Sequence, residues 1–203
     1  MFAYLLLGAT YAFAAAVQPG PYQTYLVSQA LSHGWRHTLP AALAPLLSDV
    51  PIVLLVLLVL SRMPSALEQV LRCAGGVFLL YLAWRAYRTW QTYRLAAEGG
   101  ATARRSLLNA AVVNLLNPNP YLGWSLVMGP LLLRAWREAP ANGLALLVAF
   151  YGTMVVASVG IVVLFAGARS LGPRVARGLV GVSAAGLAGF GCWQLWSGAR
   201  GLL

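Results

Sequence analysis

Gln18-Pro19-Gly20-Pro21-Tyr22 and Asn117-Pro118-Asn119-Pro120-Tyr121 decide how this chain reads. Each stands inside a long apolar run. Each follows an alanine- and valine-rich approach, Ala14-Ala15-Ala16-Val17 in one case and Ala110-Ala111-Val112-Val113 in the other. Proline has no N–H, and its ring clashes with the preceding turn, so neither stretch can continue a regular helix. In hydrocarbon a broken backbone is tolerated only where protein or a water-filled cavity satisfies the freed groups. Paired breaks in corresponding halves point to a binding site at the membrane midplane.

Composition supplies the membrane. The 203 residues are 60% hydrophobic and 9% charged, with a mean hydropathy of +0.74. A soluble domain carries roughly 25% charged residues. The expected class is therefore an all-α integral membrane protein, its runs long enough to cross a bilayer at about 20 residues each. The formal charge is +10, carried by arginine without any lysine. The arginines lie between apolar runs and not on one face. That pattern fits loop charge and contact with anionic lipid heads, and argues against a nucleic-acid partner. Cys73 and Cys192 sit in apolar stretches without a CxxC or Cys/His cluster, and read as small buried residues. The first run resembles a signal peptide in length. It lacks a basic leading region and feeds directly into the break, so it reads as a retained helix.

Six spans are expected, over about 2–27, 38–60, 70–87, 107–133, 144–166 and 176–196, with the first and fourth broken at 19–21 and 118–120. The polar stretch 88–105, with Gly99-Gly100, is the linker. It divides a single transmembrane domain, 1–203, into repeats of about 1–90 and 106–203. Three spans per half make the second half enter the membrane from the opposite side, which is an inverted-topology repeat. QPGPY and NPNPY align without gaps, and Ala74-Gly75 finds a weaker echo in Ala185-Gly186. With both termini outside, cytoplasmic loops hold 9 arginines and the outer loops and tail hold 5. That bias favours an N-out, C-out orientation with a cytoplasmic linker.

Of the four acidic residues, Asp49 alone falls mid-span; Glu68, Glu98 and Glu138 fall in connections. A charged carboxylate there costs about 2.5–3.5 kcal/mol on insertion scales. Asp49 is therefore a candidate proton carrier, with a structural hydrogen bond to freed backbone as the alternative. Gln18, Asn114, Asn117 and Asn119 are the other mid-span polar groups. Asn114 and Asn117 share a helix face up to the break and could bind an amino or carboxylate group, or glue helices together. With Pro19, Gly20, Pro21 and Pro118 they form the expected substrate site. Tyr22 and Tyr121 join it as gates or substrate contacts, with aromatic packing an equal reading. His33 and His37 read as interfacial surface residues, since no third ligand stands nearby. Gly181, Gly186, Gly189 and Gly191 read as close helix packing, and Arg85 and Arg88 as snorkelling cations. No GxSxG, HExxH or CxxC motif occurs, so an enzyme is not expected, and no cofactor is implied.

These residues resemble the LysE/RhtB (lysine exporter and homoserine/threonine resistance) family. Pro19-Gly20-Pro21, with the small-residue and amphipathic stretch to Gly34, is similar to the family's first-span PGP signature. Residues 74–85, AGGVFLLYLAWR, resemble its third-span GxxYLxxLGW stretch. Asn114-Leu115-Leu116-Asn117-Pro118-Asn119 resembles its fourth-span NxxNPK. Asp49 falls where many members carry a second-span Asp. Departures are Gln18 for a common Thr, Asn119 for the usual Lys, and Pro45 and Ser48 near expected glycines. Losing that Lys removes a charge that could meet a substrate carboxylate. The resemblance implies proton-driven export of amino acids or small derivatives across a prokaryotic plasma membrane. Its partners would be the small-molecule substrate, protons and the lipid bilayer, with self-association left open. The rivals are a cation or metal exporter or channel of a related branch, and a membrane assembly factor. Metals prefer clustered carboxylates, or His and Cys ligands, and one buried acid without a mid-span His weighs against them.

Overall fold

The computed structural model describes residues 1–18, 20–58, 65–91 and 103–202. Everything described is helix, turn or short connection. Pro19 and residues 92–102, which hold most of the expected linker with Glu98 and Gly99-Gly100, lie outside the described residues.

Helix α1 spans Phe2–Val17 and α2 spans Pro21–His33. Proline at the first helical position of α2 is well placed, because the missing N–H would be unsatisfied there anyway. The two helices meet at 64°. Gly34 ends α2 at φ 79°, a left-handed value that only glycine takes without strain. Helix α3 (Trp35–Thr38) passes through a 3₁₀ turn, Leu39–Leu43, into α4 (Ala44–Leu58). Helix α5 covers Ser65–Gln91. The expected fourth span is a chain of shorter pieces: α6 (Ala103–Leu115), α7 (Pro118–Gly123), a π-helical turn (Trp124–Met128) and α8 (Gly129–Glu138). Helices α9 (Pro140–Gly167) and α10 (Pro173–Leu202) are long and regular.

Three described helical stretches are long and apolar enough to cross a membrane: Trp35–Val56, Pro140–Gly167 and Arg177–Gly201. The bent α1–α2 pair makes a fourth. Six were expected; among the described residues α5, which carries Arg72, Arg85 and Arg88, and the α6 to α8 chain, cut by the proline break, do not meet that measure of length and apolarity.

Helix α5 lies along α10, and α1 along α9. Small residues permit both approaches. A Cβ on Gly76 would come within 2.8 Å of the Gly191 carbonyl oxygen, and one on Gly8 within 2.5 Å of that of Leu146. Gly181 sits under Trp90, and Gly186 meets Thr24, whereas Gly189 faces open space and serves no close contact. One buried cluster joins Tyr25, Leu26, Leu79, Val113 and Leu187. A second joins Ile52, Trp124, Met128, Leu146 and Phe150 and borders the site below.

Val148, Val156 and Leu164 on α9, and Val182, Trp193 and Trp196 on α10, point outward. A membrane protein can leave such faces uncovered because lipid is their solvent. The same logic corrects the cysteines: Cys73 is half-buried and Cys192 exposed, since an apolar residue here gains little by turning inward. Arg85 lies over the Tyr81 ring at 5.9 Å and Arg88 over Trp84 at 4.9 Å.

Candidate functional site

The two breaks must dispose of the carbonyls at the ends of α1 and α6. At the first, Gln18 is extended (φ −63°, ψ 125°), and its N–H returns to the Ala14 carbonyl. The Gln23 amide then reaches back from α2 and donates to the Ala15 carbonyl at 3.1 Å. At the second, the Tyr121 hydroxyl reaches back from α7 and donates to the Leu115 carbonyl at 3.1 Å. The Asn117 side chain caps α7, accepting the Asn119 N–H at 3.1 Å.

Asp49 stands on α4 between these breaks and is 4% exposed. Pro51 lies inside the same helix, and removes the N–H that the Leu47 carbonyl would otherwise receive. The Asn114 amide donates to two residues of this helix, to Asp49 Oδ1 at 2.9 Å and to Ser48 Oγ at 2.7 Å. The Ser48 hydroxyl donates in turn to the Ala44 carbonyl at 2.9 Å. Trp124, at the start of the π turn, points its indole N–H at Asp49 Oδ2, 3.5 Å away. The Tyr151 hydroxyl faces Asp49 from α9. One acid thus ties together α4, α6, the π turn and α9.

A cavity of about 120 Å³ opens beside it. A water needs about 10–15 Å³ of such space, so the cavity holds several waters or a small organic molecule. The first half contributes Tyr11, Ala15, Gln18, Gly20, Tyr22 and Gln23 to its wall. Pro45 and Asp49 come from α4, and Asn114, Asn117, Asn119 and Pro120 from the second break. Gly123, Trp124, Phe150 and Met154 complete it. Asp49, Asn114 and Asn117 are buried, while Gln18 and Asn119 are exposed and so lie on its open side.

A family model described as LysE type translocator matches residues 13–198. The chain belongs to the LysE family. No curated protein and no solved structure matches it. A LysE-type translocator is a small-molecule or amino-acid exporter, so this LysE-family chain is a multi-pass membrane transporter and not an enzyme.

Among the residues expected at the site, the LysE-family fold brings Gln18, Gly20, Tyr22, Asp49, Asn114, Asn117 and Asn119 to one cavity. Pro21 and Pro118 do not line it; they are buried and start α2 and α7. Tyr121 does not line it either, and its hydroxyl is spent on Leu115. Tyr22 lines the cavity with its ring, while its hydroxyl is held by the Ala41 carbonyl at 3.0 Å. His33 and His37 fall on different helices across the Gly34 turn. No cluster of three His, Cys, Asp or Glu side chains occurs among the described residues. Sequence reading missed Tyr11, Gln23, Trp124 and Phe150. Tyr11 had a signal: it stands seven before Gln18, on the same helix face. Trp124 and Phe150 had none, because aromatic residues are common throughout the chain.

Proposed function

We propose that this LysE-family chain is a six-pass exporter of amino acids or small amino-acid derivatives, driven by the proton gradient. Asp49 is its proton carrier, and the cavity between the breaks is its transport site. The observation that carries this is the placement of the buried Asp49 carboxyl on a cavity walled by both proline breaks. Gln18, Gly20, Asn114, Asn117 and Asn119 contact the substrate, Tyr22 offers its ring, and Pro21 and Pro118 keep the helices apart. A single transmembrane domain of two inverted three-span repeats fits the packing. The third and sixth spans lie on each other as α5 and α10, and α1 meets α9 as α6 meets α4. Gly75 backs the second break at the Leu116 carbonyl, and Gly186 backs α2 at Thr24. In this scheme α5 and the α6–α8 chain are the two spans beyond the four. The arginine bias supports N-out, C-out orientation in a prokaryotic plasma membrane.

The mechanism follows from the charge economy. A buried carboxyl exchanges a proton with whichever side the cavity faces, and rocking of one repeat against the other alternates that side. The test is pH-driven uptake of an amino-acid panel into inverted vesicles. Asp49→Asn keeps the shape and one acceptor but cannot titrate. It should insert and fold, yet fail to accumulate substrate in response to a pH difference, with Asp49→Glu less harmed. Wild-type coupling in Asp49→Asn would reduce the residue to a structural hydrogen bond. A tag after Gly99 should report the cytoplasm and tags at both termini the outside; the reverse would overturn the orientation.

A further inference from the structure

We infer that the cargo of this cavity is a small organic cation without a free carboxylate: an alkyl amine, or an amino acid whose carboxyl is esterified, amidated or lost. This rests on the cavity being the transport site and narrows what it carries. Asp49 is the sole charged residue on the wall, which among the described residues holds no Arg, Lys or His. Everything else there is neutral amide, aromatic ring or small residue. An ammonium group entering the cavity finds a full negative charge. A carboxylate entering with it finds no cation.

Backbone donors at the second break do not make up the lack. Pro118 and Pro120 have no N–H, and the Asn119 N–H between them is taken by the Asn117 side chain at 3.1 Å. Helix α7 therefore begins without a free amide on its first three residues. Pro21 removes the first donor of α2, which leaves the Tyr22 and Gln23 N–H groups as dipoles there, and no countercharge. Burying an anion without a charged partner is strongly unfavourable.

The rings favour a cation further. Trp124 meets Phe150 edge-on with centroids 5.6 Å apart, and Tyr11 stands 6.2 Å from Phe150. All three border the cavity, and Trp124 is held to the Asp49 carboxylate by its indole N–H. Cations are attracted to aromatic rings within about 6 Å of the centroid. Asn114 and Trp124 each donate to a different oxygen of Asp49. Every carboxylate oxygen accepts more than one hydrogen bond, so acceptors remain for an ammonium. The titratable groups facing Asp49 are the phenols of Tyr22, Tyr121 and Tyr151. Cation and proton then compete for a single carboxylate, which makes their exchange obligatory.

The test is competition and counterflow with the full chain in proteoliposomes. The probes are lysine, lysine methyl ester, 1,5-diaminopentane and tetramethylammonium. The ester and the diamine should act at concentrations about tenfold below lysine, tetramethylammonium should compete, and acidification should weaken all three. This comparison uses the unaltered protein and does not depend on variants that fold. Trp124→Leu should weaken the amines by about tenfold, the size of a desolvated ring–cation contact, with Trp124→Phe retaining most of the affinity. Lysine equal to or better than its ester would overturn the inference and leave the amino-acid exporter standing. Transport of none of the probes or of any amino acid would overturn both.

Discussion

The two proline breaks share a sequence pattern and differ in how they satisfy the backbone they free. The first bends α1 against α2 by 64°, and its helix resumes at the second proline, Pro21, from an extended Gly20. The second resumes at the first proline, Pro118, because the Asn117 side chain caps the new helix at once. The orphaned carbonyls are met by Gln23 in one case and Tyr121 in the other. The polar load differs as well. Three residues before the break, the second half carries Asn114, which holds Asp49, where the first half carries Ala15. The second break is thus fastened by side chains to the acid, and the first leaves its polar groups facing the cavity. Matching motifs in two repeats need not do matching work.

The sharpest way to break the comparison is to remove prolines. Each proline in a helix interior is disfavoured by about 3 kcal/mol. In Pro118→Ala with Pro120→Ala, α6 can run on into α7, closing the cavity wall. The expected outcome is lost transport in a protein that still inserts. Pro21→Ala should do less, because Gly20 still interrupts the first span. Equal transport in the double variant and the parent, measured per folded protein in vesicles, would mean that the second break does not form the site.

Next in size is Asn114→Leu. It removes both donors at once and leaves the Asp49 carboxylate short of a partner. Hydrogen bonds to charged groups contribute about 1.5–3 kcal/mol each. Thermal unfolding in detergent should show a loss of that order, and transport should fall with it. Ala15→Leu, at the corresponding place in the first half, should narrow the cavity with little change in stability. If the two variants lose stability equally, the asymmetry between the breaks is not real.

How much of this was legible follows from the kind of residue involved. Prolines announce a break wherever they stand, and a lone acid in an apolar run announces itself by its cost, so Gln18, Asp49 and Asn117 were readable. The partners that close the breaks were not. Gln23 reaches Ala15 only because the chain turns by 64°, and no local pattern encodes that angle. The π turn at Trp124–Met128 aims the indole at Asp49, and a one-residue insertion in a helical ladder leaves no trace in periodicity. Inside and outside are both apolar here, so Cys192 was misplaced. Family membership was legible from the breaks and the Asn-rich approach together, and is shown by the match over 13–198.

Smaller effects should separate Tyr121→Phe from Gln23→Met. Each deletes one hydrogen bond to an orphaned carbonyl. Neither Tyr121 nor Leu115 lines the cavity, so the Leu115 carbonyl loses its partner without a replacement, and about 1–3 kcal/mol is expected. Gln23 and Ala15 both border the cavity, where water can take the vacated place, and the loss should be below about 1 kcal/mol. Equal losses would show that the two breaks are equally dry.

The finest comparison is between the caps, Asn117→Ala and Gly20→Ala. Asn117 satisfies a backbone donor at the start of α7, and removing such a cap costs about 1 kcal/mol. Asn117→Ser keeps an accepting oxygen without adding a charge and should retain the cap. Gly20 caps α2 without a side chain, at φ −162° and ψ 176°, an extended conformation that any residue adopts. Replacing it with alanine therefore meets no backbone strain and restricts the unfolded chain, which stabilises by about 0.4–1 kcal/mol where nothing clashes. The added Cβ would sit 3.1 Å from the Gln23 Oε1 atom, the far end of a flexible side chain. Moving that amide disturbs its hydrogen bond to Ala15, so gain and loss should nearly cancel. Because Gly20 lines the cavity, the change should show in transport instead, as weaker binding of bulky cargo at unchanged thermal stability. A clear drop in stability for Gly20→Ala, matching that of Asn117→Ala, would make the first break as tightly fastened as the second and remove the contrast between them.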